Sequence, residues 1–393
     1  MANITRRHFI RTGTIAVASL SARNSMARVS GADTDTPASR VLLVYNASSK
    51  DGLEVANYYK ANRPGMSGVD TLAVTADTTE KTTSKNMLSQ IRAPIHDFIA
   101  NSHRPKYYVI MCRGLPSRVW DNDSAIASVD YLIARSDPNL TNPVGDEYYQ
   151  GGRVKYYRTS FAPEAFAGTA VLVTRMDMGS LSATQLYIDK IRTMYNAMAS
   201  PNMIVSASSA GLGGSNYLMD EVRNSGYNSL FPIRMSYSDL TSASYSNVPP
   251  GRCAYVSGIA GADAHLTTGA DVTGYESWGV NGGMSSTYPN DRTLMFTGNS
   301  NWYLVKTFES WNGILGSGQG NFDQWFHPRT AGGSKYSRTP VGMACHTDEP
   351  FVNGVEGSMY LCNWEAGLLF SECAWSSRKT KYFMAVGDPL VKR

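Results

Sequence analysis

Short apolar runs alternate with longer segments in which apolar residues recur every three or four positions, and the alternation continues through most of the chain. The run 41–45 (Val-Leu-Leu-Val-Tyr) reads as a strand buried on both faces, because it leaves no polar side for water. A polar turn over 46–52 hands it to a helix over 53–61, and 71–75 forms a second strand. Met87, Leu88, Ile91, Ile95, Phe98 and Ile99 share one helical face, and Pro94 kinks or restarts that helix. A third strand, 107–112, stops at the turn Arg113-Gly114-Leu115-Pro116. Strand, helix, strand, helix, strand at this spacing predicts parallel βαβ units.

The periodicity stops over 137–168, a stretch full of Asn, Pro, Gly and Tyr, which reads as a functional loop or a small excursion. It resumes with a strand over 170–174 and a helix whose inner face carries Ala183, Tyr187, Ile191, Met194 and Met198. Weaker strands over 203–207 and 231–235 flank a helix near 216–224, and strands over 253–259, 302–308, 341–344 and 382–386 complete the set. This pattern predicts an α/β fold over 40–393: a mainly parallel three-layer sandwich on the flavodoxin or caspase plan. The stretch 236–250 reads either as a linker between two α/β halves or as a surface loop. No internal repeat or low-complexity tract interrupts the pattern.

Composition adds the compartment. With 393 residues, 42% hydrophobic and 17% charged, the chain is long enough for one large α/β domain or two smaller ones. Residues 1–27 stand apart. Thr5-Arg6-Arg7-His8-Phe9-Ile10-Arg11 is a twin-arginine pattern, 14–20 is a weak apolar core, and Ser25-Met26-Ala27 supplies small residues for cleavage. These features predict an exported protein, periplasmic or extracellular, with a flexible leader over 28–39. The apolar core is too short to span a bilayer and no later run approaches the required length, so no membrane span is expected. The leader peptide carries four arginines and no acid. Taking those four from the 36 Lys and Arg leaves 32 bases against 32 acids, which gives no electrostatic case for nucleic acid or anionic lipid as partner. The five cysteines form no C-x-x-C pair and no zinc spacing. Cys112 and Cys253 read as small core residues; Cys362 and Cys373 could pair after export, but free thiols are expected.

Three predicted strand ends carry reactive groups. Beyond 253–259, Asp263 precedes His265 by two residues, the arrangement in which a carboxylate orients a general base, though a loop histidine bonded to its neighbour reads the same way. Beyond 302–308, Glu309 is a candidate acid or ligand, and Ser310 is a weak nucleophile or a helix N-cap. Beyond 341–344 stand Cys345, His346, Asp348 and Glu349, the densest reactive cluster in the chain. Neighbouring strand residues face opposite ways, so Cys345 and His346 do not make a catalytic pair, and His265 is the partner a Cys345 nucleophile would need. Asp263, His265, His346, Asp348 and Glu349 are nitrogen and oxygen donors suited to zinc or manganese, but their spacing is not diagnostic. No cofactor is expected, and a divalent metal stays open. The glycine-rich Gly316-Ser317-Gly318-Gln319-Gly320 follows no well-placed strand, and phosphate-loop and dinucleotide fingerprints are absent. Sequential parallel strands tend to be neighbours, so His265, Glu309 and His346 are expected to share one pocket.

The segments 302–313, 318–322, 338–350, 374–377 and 385–389 (Ala-Val-Gly-Asp-Pro) together resemble a family of exported bacterial proteins. That resemblance covers most of the mature chain and implies export without implying a reaction. More distantly, the layout is similar to gingipain-type cysteine peptidases of the caspase-like clan. This second resemblance implies a parallel sheet, a histidine after one late strand, a cysteine after the next, and a closing Gly-Asp-Pro. His265 would match the histidine, but Leu266 stands where the clan has glycine, and 302–308 ends in Glu309-Ser310 where the nucleophilic cysteine belongs. Met343-Ala344-Cys345 is similar to the clan's apolar-Ala-Cys signature, one strand late. The resulting expectation is an exported hydrolase of caspase-like ancestry acting on protein or another envelope polymer. His265 would be its base, Asp263 the orienting group, and Cys345 or Ser310 the nucleophile. The alternative is a non-catalytic cell-envelope module binding protein or glycan, which 23 tyrosines and seven tryptophans would suit, although aromatic residues also simply fill a core.

Overall fold

A computed structural model describes residues 36–135, 171–193, 271–276, 280, 289, 294–350, 354–355, 357, 360–361, 363–364 and 367–393, together with the backbone of 194, 202–207, 233–235, 253–257, 268–270, 277, 358–359, 362 and 365. The strands in chain order are β1 (Val41–Asn46), β2 (Asp70–Val74), β3 (Lys81–Thr82), β4 (Tyr108–Cys112), β5 (Arg118–Asp121), β6 (Ser124–Ser128), β7 (Leu172–Met176) and β8 (Asn202–Ala207). After these come β9 (Ile233–Met235), β10 (Cys253–Ser257), β11 (Thr268–Ala270), β12 (Val272–Ser277), β13 (Met295–Thr297), β14 (Leu304–Thr307), β15 (Gly342–His346) and β16 (Phe383–Gly387). The helices are α1 (Lys50–Asn62), α2 (Ser84–Asn86), α3 (Ala93–Asn101), α4 (Val129–Ala134), α5 (Leu181–Met194), α6 (Phe322–Trp325), α7 (Gly357–Glu365) and α8 (Phe370–Ser377).

Eleven strands form one sheet in the order β2-β1-β4-β7-β16-β15-β14-β12-β8-β10-β9. β2, β1, β4 and β7 are mutually parallel, as are β15, β14, β12, β8, β10 and β9; β16 stands between the two sets, antiparallel to β15 and joined to β7 by the single pair Val386–Arg175. Helices flank the sheet, α1 packed on α5 and α7 on α8, and the result is a mainly parallel three-layer α/β sandwich. A 3-10 turn over Pro37–Arg40 leads into β1 and buries Ala38 and Ser39. The segments 1–35, 136–170 and 236–250 lie outside the described residues. Among the described residues no helix is long and apolar enough to cross a membrane.

Local chemistry explains the elements. β4, β7, β15 and β16 are buried along their whole length, as strands covered on both faces must be. Ser49 caps α1 by accepting the amide of Gly52 at 3.1 Å. Pro94 does not break its helix. It can neither donate to the i−4 carbonyl nor fit beneath it, and the chain widens into a π turn over Met87–Arg92 immediately upstream. The closing Gly387-Asp388-Pro389 acts as a clasp between the end of β16 and α1. Buried Asp388 takes the Arg63 Nε at 2.7 Å and the Tyr59 hydroxyl at 2.9 Å, and it also caps the turn through the amide of Leu390 at 2.8 Å.

Candidate functional site at the ends of β14 and β15

β14 and β15 are parallel neighbours, with Lys306 opposite Ala344, so their carboxyl ends open on the same edge of the sheet. That is where open α/β sheets place their ligands. Asn312 stitches the loop leaving β14 to β15. Its Nδ2 donates to Thr307 Oγ1 at 2.8 Å, and its Oδ1 accepts the His346 amide at 2.7 Å. Gly313 adds a bond from its own amide to the His346 carbonyl at 2.9 Å; a side chain there would bring a Cβ within 2.9 Å of that same oxygen. Just before these anchors Trp311 is held at φ +52°, in the left-handed region that bulky residues avoid, and such strain persists only where neighbouring contacts impose it.

Ser310 precedes this strained residue and is 5% exposed. Its hydroxyl donates to Glu349 Oε2 at 2.5 Å. Asp348 locks the second loop by accepting the Trp311 indole N–H at 3.1 Å and the Glu349 amide at 2.7 Å. Ser310 caps no helix: after β14 the first helix is α6, so the N-cap expectation is corrected, and the hydroxyl is bound to a carboxylate instead.

His346 lies 1% exposed beside this pair. Its Nδ1 sits 3.0 Å from the Glu309 carbonyl oxygen, which can only accept, so Nδ1 carries the hydrogen and Nε2 keeps its lone pair. Nε2 is buried, makes no hydrogen bond among the described residues, and faces Gly354, where a Cβ would fall 2.2 Å away. Burial lowers the imidazole to about 4, against the raising effect of the Glu309 carbonyl and with help from the Lys306 charge, so the ring is neutral at pH 7. Next to it the Lys306 ammonium donates to Glu276 across β12 and β14 and lies 4.2 Å from the Phe308 ring centroid. Glu276 and Lys306 are both buried.

The remaining expected site residues fall elsewhere. Cys345 follows the alternation of β15 and is fully buried; burial first, then Asp130 and Asp323, push its thiol well up. That favours the protonated, unreactive form. Cys112 and Cys373 are likewise buried free thiols. Asp263 and His265 lie outside the described residues. The shared pocket expected from sequential strand order is altered by the topology. Glu309 and His346 do meet, but β10 stands three places from β14, with β12 and β8 between them. Among the described residues no group of three His, Cys, Asp or Glu side chains could hold a metal ion; Asp348 and Glu349 are bonded within the loops as above.

A second feature of the same edge has only a dispersed signature in the sequence. The carboxyl ends of β1, β4 and β7 surround a cavity of ≈ 290 Å³ in which Arg113 bridges Asp51 at 3.0 Å and Asp177 at 2.8 Å. Gly313 and Leu315, from the loop after β14, also line it. These polar groups are individually ordinary turn residues, and only the strand order gathers them.

No family model matches the chain, and no curated protein matches it. Among solved structures, one described as "Structure of Protease" is similar over 91% of this chain and 78% of its own, with 14% sequence identity and a TM-score of 0.42. A likeness at that level carries no functional argument.

Proposed function

We propose that the protein is an exported hydrolase whose nucleophile is Ser310, acting on protein or another envelope polymer. The observation that carries this reading is the 2.5 Å hydrogen bond from the Ser310 hydroxyl to Glu349, next to the strained Trp311 and at the carboxyl edge of a parallel sheet. In the proposed step Ser310 Oγ bonds to the carbonyl carbon of an ester or amide while its proton passes to Glu349. The leaving group departs with that proton, and water then cleaves the acyl-serine. Neutral His346 holds the Glu309 carbonyl and so positions the residue before the nucleophile. His265, oriented by Asp263, remains the proposed second base, and the twin-arginine leader the proposed route of export.

The non-catalytic envelope module is kept as a second reading because Ser310 is only 5% exposed, little for a group that substrate must reach. Fluorophosphonate labelling followed by peptide mapping separates the two. The hydrolase predicts covalent modification at Ser310, abolished in Ser310→Ala and slowed at least about tenfold in Glu349→Gln and His265→Ala. A native protein that leaves Ser310 unlabelled under conditions that modify a control serine hydrolase would discard the enzyme in favour of the binding module.

A further inference from the structure

The geometry points to a saccharide-binding site in the cavity at the ends of β1, β4 and β7, built independently of the chemistry at Ser310. The position comes first. In the order β2-β1-β4 the chain leaves β1 toward one side for β2 and returns on the other side for β4, so the crevice between the exits of β1 and β4 is a topological switch point. Ligands of open α/β sheets bind at such points. The loop after β1 supplies Ser49, the first turn of α1 supplies Asp51, the loop after β4 supplies Arg113 and Leu115, and the residue after β7 supplies Asp177.

The ligand class follows from charge and hydrogen-bonding capacity. Asp51 and Asp177 share the Arg113 guanidinium, Glu80 faces Arg118, and Asp130 faces Arg175. Four carboxylates against three guanidiniums leave a single negative charge, so the site makes no strong demand for a counter-ion. Among the described residues Asp51 Oδ1, Asp177 Oδ2 and Arg113 Nη2 make no hydrogen bond, and Arg113 is 22% exposed at its side chain. Two acceptors and a donor are therefore left over on three residues tied together through the planar arginine. Adjacent hydroxyls of a sugar, each able to donate once and accept twice, can satisfy such a mixed set. Leu315, Phe322 and Met384 provide an apolar wall for the C–H side of a ring, and ≈ 290 Å³ suits one or two rings rather than a longer segment.

The test is ligand-observed NMR on the full chain, titrated separately with glucose, galactose, N-acetylglucosamine and N-acetylarginine amide. At least one sugar should bind saturably in the millimolar range, with an affinity that is unchanged between about 50 mM and about 500 mM NaCl, because a neutral ligand is not screened. Asp177→Asn should weaken that binding at least about tenfold. So should Leu315→Asp, a change at a side chain 46% exposed that leaves the core untouched and guards against a misfolded first variant. Saturable binding of the arginine derivative, falling with salt and without sugar binding, would overturn the inference in favour of a basic peptide. Failure of all four ligands would also overturn it. Because no turnover is measured, these outcomes are independent of the fate of Ser310.

Discussion

One sheet edge handles polar groups in two ways. At the ends of β1, β4 and β7 the ion pairs of Arg113 line a cavity, and Asp51 keeps a side-chain exposure of 46%. At the ends of β12, β14 and β15, Lys306, Glu276 and His346 are buried under neighbouring backbone, and glycines at 354 and 357 let that backbone close over them. The first region can exchange protein contacts for ligand contacts at little cost. In the second, each polar group depends on its partner, because water cannot replace it. Ser310, the proposed nucleophile, lies between the two, on the loop that also sends Gly313 and Leu315 into the cavity.

The largest expected effect tests the sealed side. Lys306→Met removes one charge of a buried pair while the Glu276 carboxylate stays buried without its cation, and should cost about 3–5 kcal/mol in urea unfolding. Adding Glu276→Gln should restore more than half of that loss, since the burden is a buried negative charge rather than a missing attraction. A cost below about 1 kcal/mol would mean that water reaches the pair, and the contrast between the regions would fail.

The next effect, also on the sealed side, is a dependence on pH. His346 titrates near 4 in the fold against about 6.5 in the unfolded chain. A lowered native value means that the unfolded chain binds the extra proton first. The contribution of His346 is therefore complete above about pH 6.5 and is lost as pH falls toward 4, by up to about 3 kcal/mol. Carboxylates titrate in the same window, so the informative quantity is the difference between the wild type and His346→Gln. Parallel stability-versus-pH curves for the two proteins would show that the ring is hydrated, and His346 would then belong with the open region.

Much of this architecture was legible in the sequence, and the failures have physical causes. The runs at 41–45 and 107–112 announced buried parallel strands because no polar residue interrupts them. β12 was hidden. Val272-Thr273-Gly274-Tyr275-Glu276-Ser277 carries a glycine, two hydroxyls and a carboxylate, and reads as a loop until Lys306 is known to lie opposite Glu276. Missing that strand made β10 and β14 look adjacent and drew His265 toward Glu309. The cluster at 345–349 located the sheet edge, but periodicity cannot assign partners across loops. Nothing in the pattern links Ser310 to Glu349, 39 residues on. Nor does any motif join Asp51, Arg113 and Asp177, which three separate strands deliver.

The smallest effect probes the open side. Arg113→Met keeps an apolar stem in place while removing the guanidinium from between Asp51 and Asp177. Both carboxylates retain access to water, so neither is stranded, and the exposed half of the pair is screened and held loosely. The change should alter stability by less than about 1 kcal/mol, a shift of at most a few degrees in Tm. Near-neutral stability also makes this variant a clean reporter for the cavity: any loss of sugar binding in it reflects the missing donor rather than a damaged fold. A destabilisation as large as that of Lys306→Met would show that Arg113 is a structural tie like Arg63 with Asp388. The cavity would then be a gap left by the loops, not a surface held ready for a ligand.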